Sequence, residues 1–146
     1  MKNIARMMMC VLLSGVAAGA QSPAAGDKVL SQAQVFPVEG MTMRKMPNGG
    51  ESRDVVRGAL VTGEAVGVHE SVLPVGSVPN PQHVIQHSEL IMVQEGVVEF
   101  ERGDQVEKVG AGGVIYVALG TMHTLKNVGD VPAKYFVVAI GGDMKK

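Results

Sequence analysis

The chain has 146 residues, with 13 basic and 14 acidic side chains and a formal charge of −1 at neutral pH. This length corresponds to one domain, and the absence of any basic cluster beyond Arg44-Lys45 and the terminal Lys145-Lys146 argues against nucleic-acid binding.

The first twenty residues have the pattern of a cleavable signal peptide. Lys2 and Arg6 precede the apolar run Met7–Leu13, and the segment closes on Ala18-Gly19-Ala20. A membrane-spanning helix needs about 20 apolar residues, and this run is much shorter. We therefore expect cleavage before Gln21 and export to the periplasm or the medium, with no membrane attachment of the mature chain.

Cleavage would change the chemistry of the mature chain. Cys10 is the only cysteine and would leave with the signal, so no disulfide could form in the exported domain. Loss of Lys2 and Arg6 would leave 11 basic against 14 acidic side chains, a charge of −3.

Residues 21–54 are predicted to be a flexible leader followed by an N-terminal arm. Residues 21–28 are rich in Ser, Pro, Ala and Gly, which is typical of a flexible segment. Val29–Met46 contains short apolar stretches interrupted by Pro37 and Gly40, which indicates one or two short strands. The turn signal Asn48-Gly49-Gly50 follows. The folded domain is predicted at residues 55–141, with a C-terminal tail at 142–146.

The remaining sequence indicates an all-β domain. Strand-length apolar or alternating runs recur between Gly, Pro, Asn and Asp turns, and no segment has a sustained helical period. A small antiparallel β-barrel or sandwich fits this spacing. The predicted strands are Val55–Thr62, Ala65–Leu73, Glu89–Val93, Val97–Glu101, Gln105–Val109, Val114–Val117, Thr121–Lys126 and Lys134–Ile140.

Three of the four histidines lie close to predicted strand ends, with one acidic residue among them. His83 and Glu89 would be about 20 Å apart in a straight strand, so a bend at Gln86-His87-Ser88 is needed for them to share a site. His123 follows a turn that begins another strand. Two imidazoles and a carboxylate from neighbouring strands are suitable ligands for one divalent transition-metal ion.

The other polar residues allow more than one interpretation. His87 is either a solvated turn residue or a fourth metal ligand. His69 shares a strand face with Gly67 and Ser71, so it either lines the cavity or lies on the exposed face. Glu64 and Glu70 have no partner visible in the sequence and are predicted at the surface.

Two spaced motifs give the sequence a resemblance to small single-domain cupins. The first motif is Gly, His-x-His, Glu and Gly, and it is matched by Gly76, His83, Glu89 and Gly96. The second is Gly, Pro-x-Gly, His and Asn, and it is matched by Gly112, Gly120, His123 and Asn127. Ala118 stands where proline is usual, and Ile85 stands where the family has its second histidine.

The resemblance implies a jelly-roll-like double-stranded β-helix with a divalent metal, Mn, Fe, Ni or Zn, inside it. The carried-over ligands are His83, Glu89 and His123, and His87 could replace the histidine missing at Ile85. It also implies a homodimer and a small-molecule ligand or substrate. The expected function is metal-dependent chemistry of dioxygenase, isomerase or lyase type, and the alternative is a non-catalytic protein that binds a small ligand or a metal.

Overall fold

A computed structural model describes residues 28–142. The predicted signal peptide at 1–20, most of the leader, and residues 143–146 of the tail lie outside the described residues. The described part contains eleven strands and no helix. They are β1 (Val29–Leu30), β2 (Arg44–Lys45), β3 (Glu51–Leu60), β4 (Ala65–Leu73), β5 (His83–Val84), β6 (Ser88–Glu95), β7 (Val97–Arg102), β8 (Gln105–Gly110), β9 (Val114–Val117), β10 (Met122–Asn127) and β11 (Ala133–Ile140).

All eight predicted strands are present, and β4 and β9 have the predicted bounds. The largest difference is at β3, which begins at Glu51 rather than Val55 and ends at Leu60. Its first residues are polar, but they pair with β2 on one side and β4 on the other. The arm, predicted to contain one or two short strands, contains two, β1 and β2.

The strands form two sheets that pack face to face. The larger sheet has the order β1-β3-β4-β11-β6-β9, with β2 also paired to β3, and the smaller has the order β5-β10-β7-β8. The hydrogen bonds do not close into a continuous barrel, so the jelly-roll is an open sandwich. The pairing is antiparallel throughout except between β1 and β3, which are parallel.

Alternation along each strand places the core between the sheets. Side chains at every second position of a strand face the same side, and on β11 Tyr135 and Val137 point inward while Phe136 and Val138 are only partly buried. The buried cluster draws on both sheets and contains Leu73, Ile85, Ile91, Val93, Val98, Phe100, Ile115, Val117, Ala133, Tyr135 and Val137.

The surface prediction holds for Glu64 and is wrong for Glu70, which is only 1% exposed. Glu70 lies on β4 between two basic side chains from neighbouring strands. Arg53 of β3 forms an ion pair with it, and Nζ of Lys134 on β11 lies 2.9 Å from its Oε1. A buried carboxylate requires such compensation.

No helix within residues 28–142 is long and apolar enough to cross a membrane.

Candidate functional site

The two sheets bring the predicted histidines together at one end of the sandwich. β5 and β10 pair antiparallel with His83 directly opposite His123, and directly opposed residues share a face. Their ring centroids are 4.9 Å apart. A bond from Gly120 N–H to Ile85 O, 2.9 Å long, ties the turn before β10 to the segment after β5. The two histidines therefore lie side by side although 40 positions separate them in the sequence.

Glu89 enters the same site from the larger sheet. It is the second residue of β6, after the chain has bent at residues 85–87, and its side chain is largely buried. Its Oε2 lies 3.8 Å from Nε2 of His123, and its Oε1 accepts a hydrogen bond of 2.8 Å from Nε2 of His87. The carboxylate thus lies between two imidazoles, and the bend expected near His87 is present.

Backbone carbonyls fix the orientation of both paired histidines. Nδ1 of His83 lies 3.3 Å from Pro81 O, and Nδ1 of His123 lies 3.3 Å from Thr121 O. A carbonyl can only accept, so each Nδ1 carries the proton and each neutral ring has its lone pair on Nε2. This is the tautomer that a metal-binding histidine uses when it coordinates through Nε2.

His123 is also held in its neutral form. It is 3% exposed, and its ring packs 5.6 Å from the ring of Phe100. Burial lowers the pKa of His123 below its ordinary value of 6.5, and this effect outweighs the Thr121 carbonyl and the Glu89 carboxylate, which raise it. Near neutral pH the imidazole is therefore unprotonated and able to donate a lone pair.

His87 lies in the bend between β5 and β6 and is not a solvated turn residue. Its side chain is 17% exposed, and Nε2–H donates to Glu89 as described above. Its Nδ1 is buried and has no hydrogen-bond partner among the described residues. His87 is therefore in contact with the carboxylate that lies between it and His123, and it orients that carboxylate.

Ile85, at the position of the missing motif histidine, belongs to the hydrophobic core. It is buried in the cluster between the sheets and does not line the cavity described next. An apolar side chain here contributes packing where the family pattern has a ligand.

A cavity of about 250 Å³ opens beside the histidines and extends between the sheets. His69 is among its lining residues, so of the two interpretations of that residue the cavity-lining one is confirmed. Sequence reasoning did not select Tyr135 or Ser52, which also line the cavity. Alternation along β3 and β11 shows which side chains share a face with Ser52 and Tyr135. Only the pairing of both strands with β4 shows that this face lines the cavity. The lining residues are Met46, Ser52, His69, Ser71, Leu73, Asn80, His83, Glu89, Ile91, His123, Thr124, Leu125, Tyr135 and Val137.

The distances between the donor atoms of His83, Glu89 and His123 decide whether one metal ion can bind to them. Within residues 28–142 no group of three or more His, Cys, Asp or Glu side chains is placed so that it could hold a metal ion without side-chain movement. Two ligand atoms each about 2.1 Å from a tetrahedral ion are roughly 3.4 Å apart. The 3.8 Å between Glu89 Oε2 and His123 Nε2 is within a small side-chain rotation of that value. The donor types and the Nε2 lone pairs fit a divalent transition metal.

Comparison with known proteins agrees with this description. The family model for the cupin domain matches residues 68–139. The polyketide cyclase RemF from Streptomyces resistomycificus has a TM-score of 0.60 at 15% identity, over 79% of this chain and 88% of that chain. A predicted oxalate decarboxylase from Thermotoga maritima has a TM-score of 0.58 at 20% identity, over 73% and 98%. KdgF from a Halomonas species has a TM-score of 0.62 at 12% identity, over 74% and 94%.

A search of curated protein sequences gives no significant match. The double-sheet sandwich is the fold that the solved structures share with this chain. With both motifs in place and the cupin-domain match over residues 68–139, the chain belongs to the cupin superfamily.

Proposed function

We propose that the chain is an exported cupin that binds one divalent transition-metal ion through His83, Glu89 and His123. The bound ion would act on a small organic molecule held in the adjacent cavity. The observation that carries the proposal is the shared arrangement of the two histidines. Each donates a hydrogen bond from Nδ1–H to the carbonyl two residues earlier and keeps a lone pair on Nε2, and Nε2 of His123 lies 3.8 Å from Oε2 of Glu89.

The protein groups have separable roles in this proposal. A divalent ion would supply Lewis-acid polarisation of a carbonyl oxygen, or redox chemistry if it is iron. His87 holds Glu89 by its 2.8 Å hydrogen bond, which fixes the carboxylate and leaves Oε2 toward His123. Phe100 packs against His123 and shields it from water. His69 lines the same cavity and is the cavity's remaining imidazole for proton transfer to or from a ligand.

Metal uptake by the intact protein tests the proposal. Protein purified without an affinity tag and stripped with a chelator would be titrated with Mn²⁺, Fe²⁺, Ni²⁺ and Zn²⁺ by calorimetry. We expect one ion per chain for at least one metal, and a loss of at least tenfold in affinity for His123→Ala and Glu89→Ala. His69→Ala removes a histidine from the same cavity but not from the donor set, and should bind the ion as the unmodified protein does. No uptake of any of the four metals would refute the proposal.

A non-catalytic binding protein is the second candidate, and one observation favours it. Burial raises the pKa of Tyr135 to about 12, so this cavity-lining phenol cannot serve as a base near neutral pH. Proton transfer would then depend on His69. Metal binding without turnover across a broad panel of carbonyl and carboxylic compounds would favour the binding protein.

Export and assembly belong to the same proposal. Export rests on residues 1–20, and N-terminal sequencing of the periplasmic or secreted protein should begin at Gln21. A homodimer rests on the family resemblance and on the exposed apolar residues of the arm, of which Val35 is 88% exposed. Light scattering of the mature protein should give twice the mass of one chain.

A further inference from the structure

Three hydroxyl side chains form a row along one side of the cavity, next to His69. Ser52 on β3 is the register partner of Ser71 on β4, which is in turn the partner of Tyr135 on β11. All three face the interior and line the cavity. The Ser52 and Ser71 hydroxyl oxygens are 3.5 Å apart, and the Tyr135 hydroxyl is hydrogen-bonded to Ser71.

This row has a proton to offer to a ligand. Two hydrogen bonds join the three hydroxyls and use two of their three protons, so the row keeps one O–H for a ligand. This is the O–H of Ser52 when Ser71 donates to Ser52, and that of Tyr135 when the hydroxyls rotate so that Ser71 donates to Tyr135. Tyr135 is 7% exposed, and its raised pKa keeps its proton on the phenol at neutral pH. A ligand oxygen that accepts the remaining O–H would add one hydrogen bond to the row.

One layer of side chains separates the hydroxyl row from Glu89. Along β11, Ala139 is the partner of Glu89, and Tyr135 lies four residues before Ala139, so the backbone positions of Tyr135 and Ala139 are about 13 Å apart. Val137 lies between them, beside its partners Ile91 on β6 and His69 on β4, and all three line the cavity. No Lys or Arg lines this cavity, so the row meets its ligand without a positive charge.

We propose that Ser52, Ser71 and Tyr135 form a second subsite that binds a hydroxyl or carbonyl oxygen of the ligand. The ligand class is then a small molecule with an oxygen group at each end, uncharged at the end that reaches the row, and with a middle that lies against Val137, Ile91 and His69. The first oxygen group lies at His83, Glu89 and His123, and the second accepts a hydrogen bond from the hydroxyl row. The inference rests on the proposed function in taking this cavity as the ligand site.

A matched pair of probes tests the subsite without knowledge of the natural ligand. 1,5-Pentanediol and 1-pentanol differ only in the distal hydroxyl, and their dissociation constants can be measured by saturation-transfer NMR on the full mature chain. The quantity of interest is the ratio of the pentanol constant to the pentanediol constant. We expect Tyr135→Phe to lower this ratio about 3- to 10-fold, which is the range for one net hydrogen bond. Tyr116→Phe is the control, because Tyr116 is 64% exposed on the outer face of β9.

The outcomes separate this inference from the proposed function. A ratio that Tyr135→Phe leaves unchanged within twofold overturns the subsite, provided that the variant keeps the melting temperature of the unmodified protein. If that variant unfolds, the same ratio is measured for Ser71→Ala, and a ratio unchanged within twofold overturns the subsite. Zn²⁺ uptake is measured on the same samples. A lowered ratio without zinc uptake supports the subsite and weakens the metal proposal. Zinc uptake with an unchanged ratio supports the metal proposal and overturns the subsite.

Discussion

Replacing Gly142 by alanine should displace the bend that holds His87 against Glu89. Gly142 follows β11 and has a φ of +62°, and an added Cβ would lie 2.7 Å from the carbonyl carbon of Gln86 and 2.8 Å from Cα of His87. It would also overlap the carbonyl oxygen of Gln86. These are backbone atoms, which cannot rotate away, so the bend itself must shift.

Comparison with the neighbouring Gly141 separates the cost of a left-handed backbone from the cost of the steric clash. Gly141 has a φ of +68° and nothing within 4 Å of an added Cβ. Alanine at either position takes on a left-handed backbone, which costs about 1–2 kcal/mol. Only at Gly142 is there a clash, which adds about 1–3 kcal/mol by analogy with overpacking. We therefore expect Gly142→Ala to lower the free energy of unfolding by about 2–5 kcal/mol, and Gly141→Ala by about 1–2 kcal/mol.

Urea denaturation of both variants would measure the difference. Long-range ¹H–¹⁵N spectra of the histidine rings would show whether the Nε2–H of His87 still donates to Glu89. We expect altered His87 signals in Gly142→Ala and unchanged ones in Gly141→Ala. Equal free energies of unfolding together with identical His87 signals would refute the assigned role of the Gly142 contact.

Three further predictions concern stability. Glu70→Ala leaves Arg53 and Lys134 without their shared carboxylate, and because Lys134 remains 39% exposed we expect a loss of about 2 kcal/mol, below the range for a fully buried pair. Glu107→Ala breaks an exposed pair with Arg102 and should cost less than about 1 kcal/mol in the same urea assay. Asn127→Ala removes hydrogen bonds of 2.8 and 2.9 Å from the side-chain amide to Leu73 O and Val131 O, and one of 2.9 Å that its Oδ1 accepts from Gly129 N–H. We expect a loss of about 2–4 kcal/mol, and a change below 0.5 kcal/mol would contradict the structural role of this motif residue.

The fifth prediction concerns pH. Because the pKa of folded His123 is lowered, the unfolded chain binds the proton more tightly, so the stability that neutral His123 contributes is complete above pH 6.5 and is lost as the pH falls through the folded pKa. Thermal melts between pH 8 and pH 5 should show a decline below pH 6.5 that is shallower in His123→Gln. Equal slopes for the two proteins would count against the buried, neutral imidazole.

The strand pattern could be predicted because it depends on local sequence. Each apolar run is bounded by Gly, Pro, Asn or Asp, and β4 and β9 were predicted residue for residue. The start of β3 at Glu51 could not be predicted, because its first four residues are polar and are held in the sheet by β2 and β4. The sequence is compatible with both a barrel and a sandwich, because the choice between them depends on hydrogen bonds between distant strands.

The candidate site could be predicted only in part, for a similar reason. Motif spacing selected His83, Glu89 and His123, and the structure places all three around one cavity. The burial of Glu70 required knowledge that Lys134, 64 positions later, lies on the next strand. Tyr135 joins the cavity through its register with Ser71, and no local pattern shows that pairing.

The short length of β5 has a consequence for the dynamics of the site. Glu89 and His123 lie on strands of eight and six residues, whereas His83 lies on a two-residue strand at the edge of its sheet, paired only with β10 and exposed. Segments with so few contacts open locally at a small fraction of the global unfolding free energy. Amide hydrogen exchange should therefore be fastest at β5 among the strands that carry the site, and an ion that joins His83 to the other two side chains would slow it.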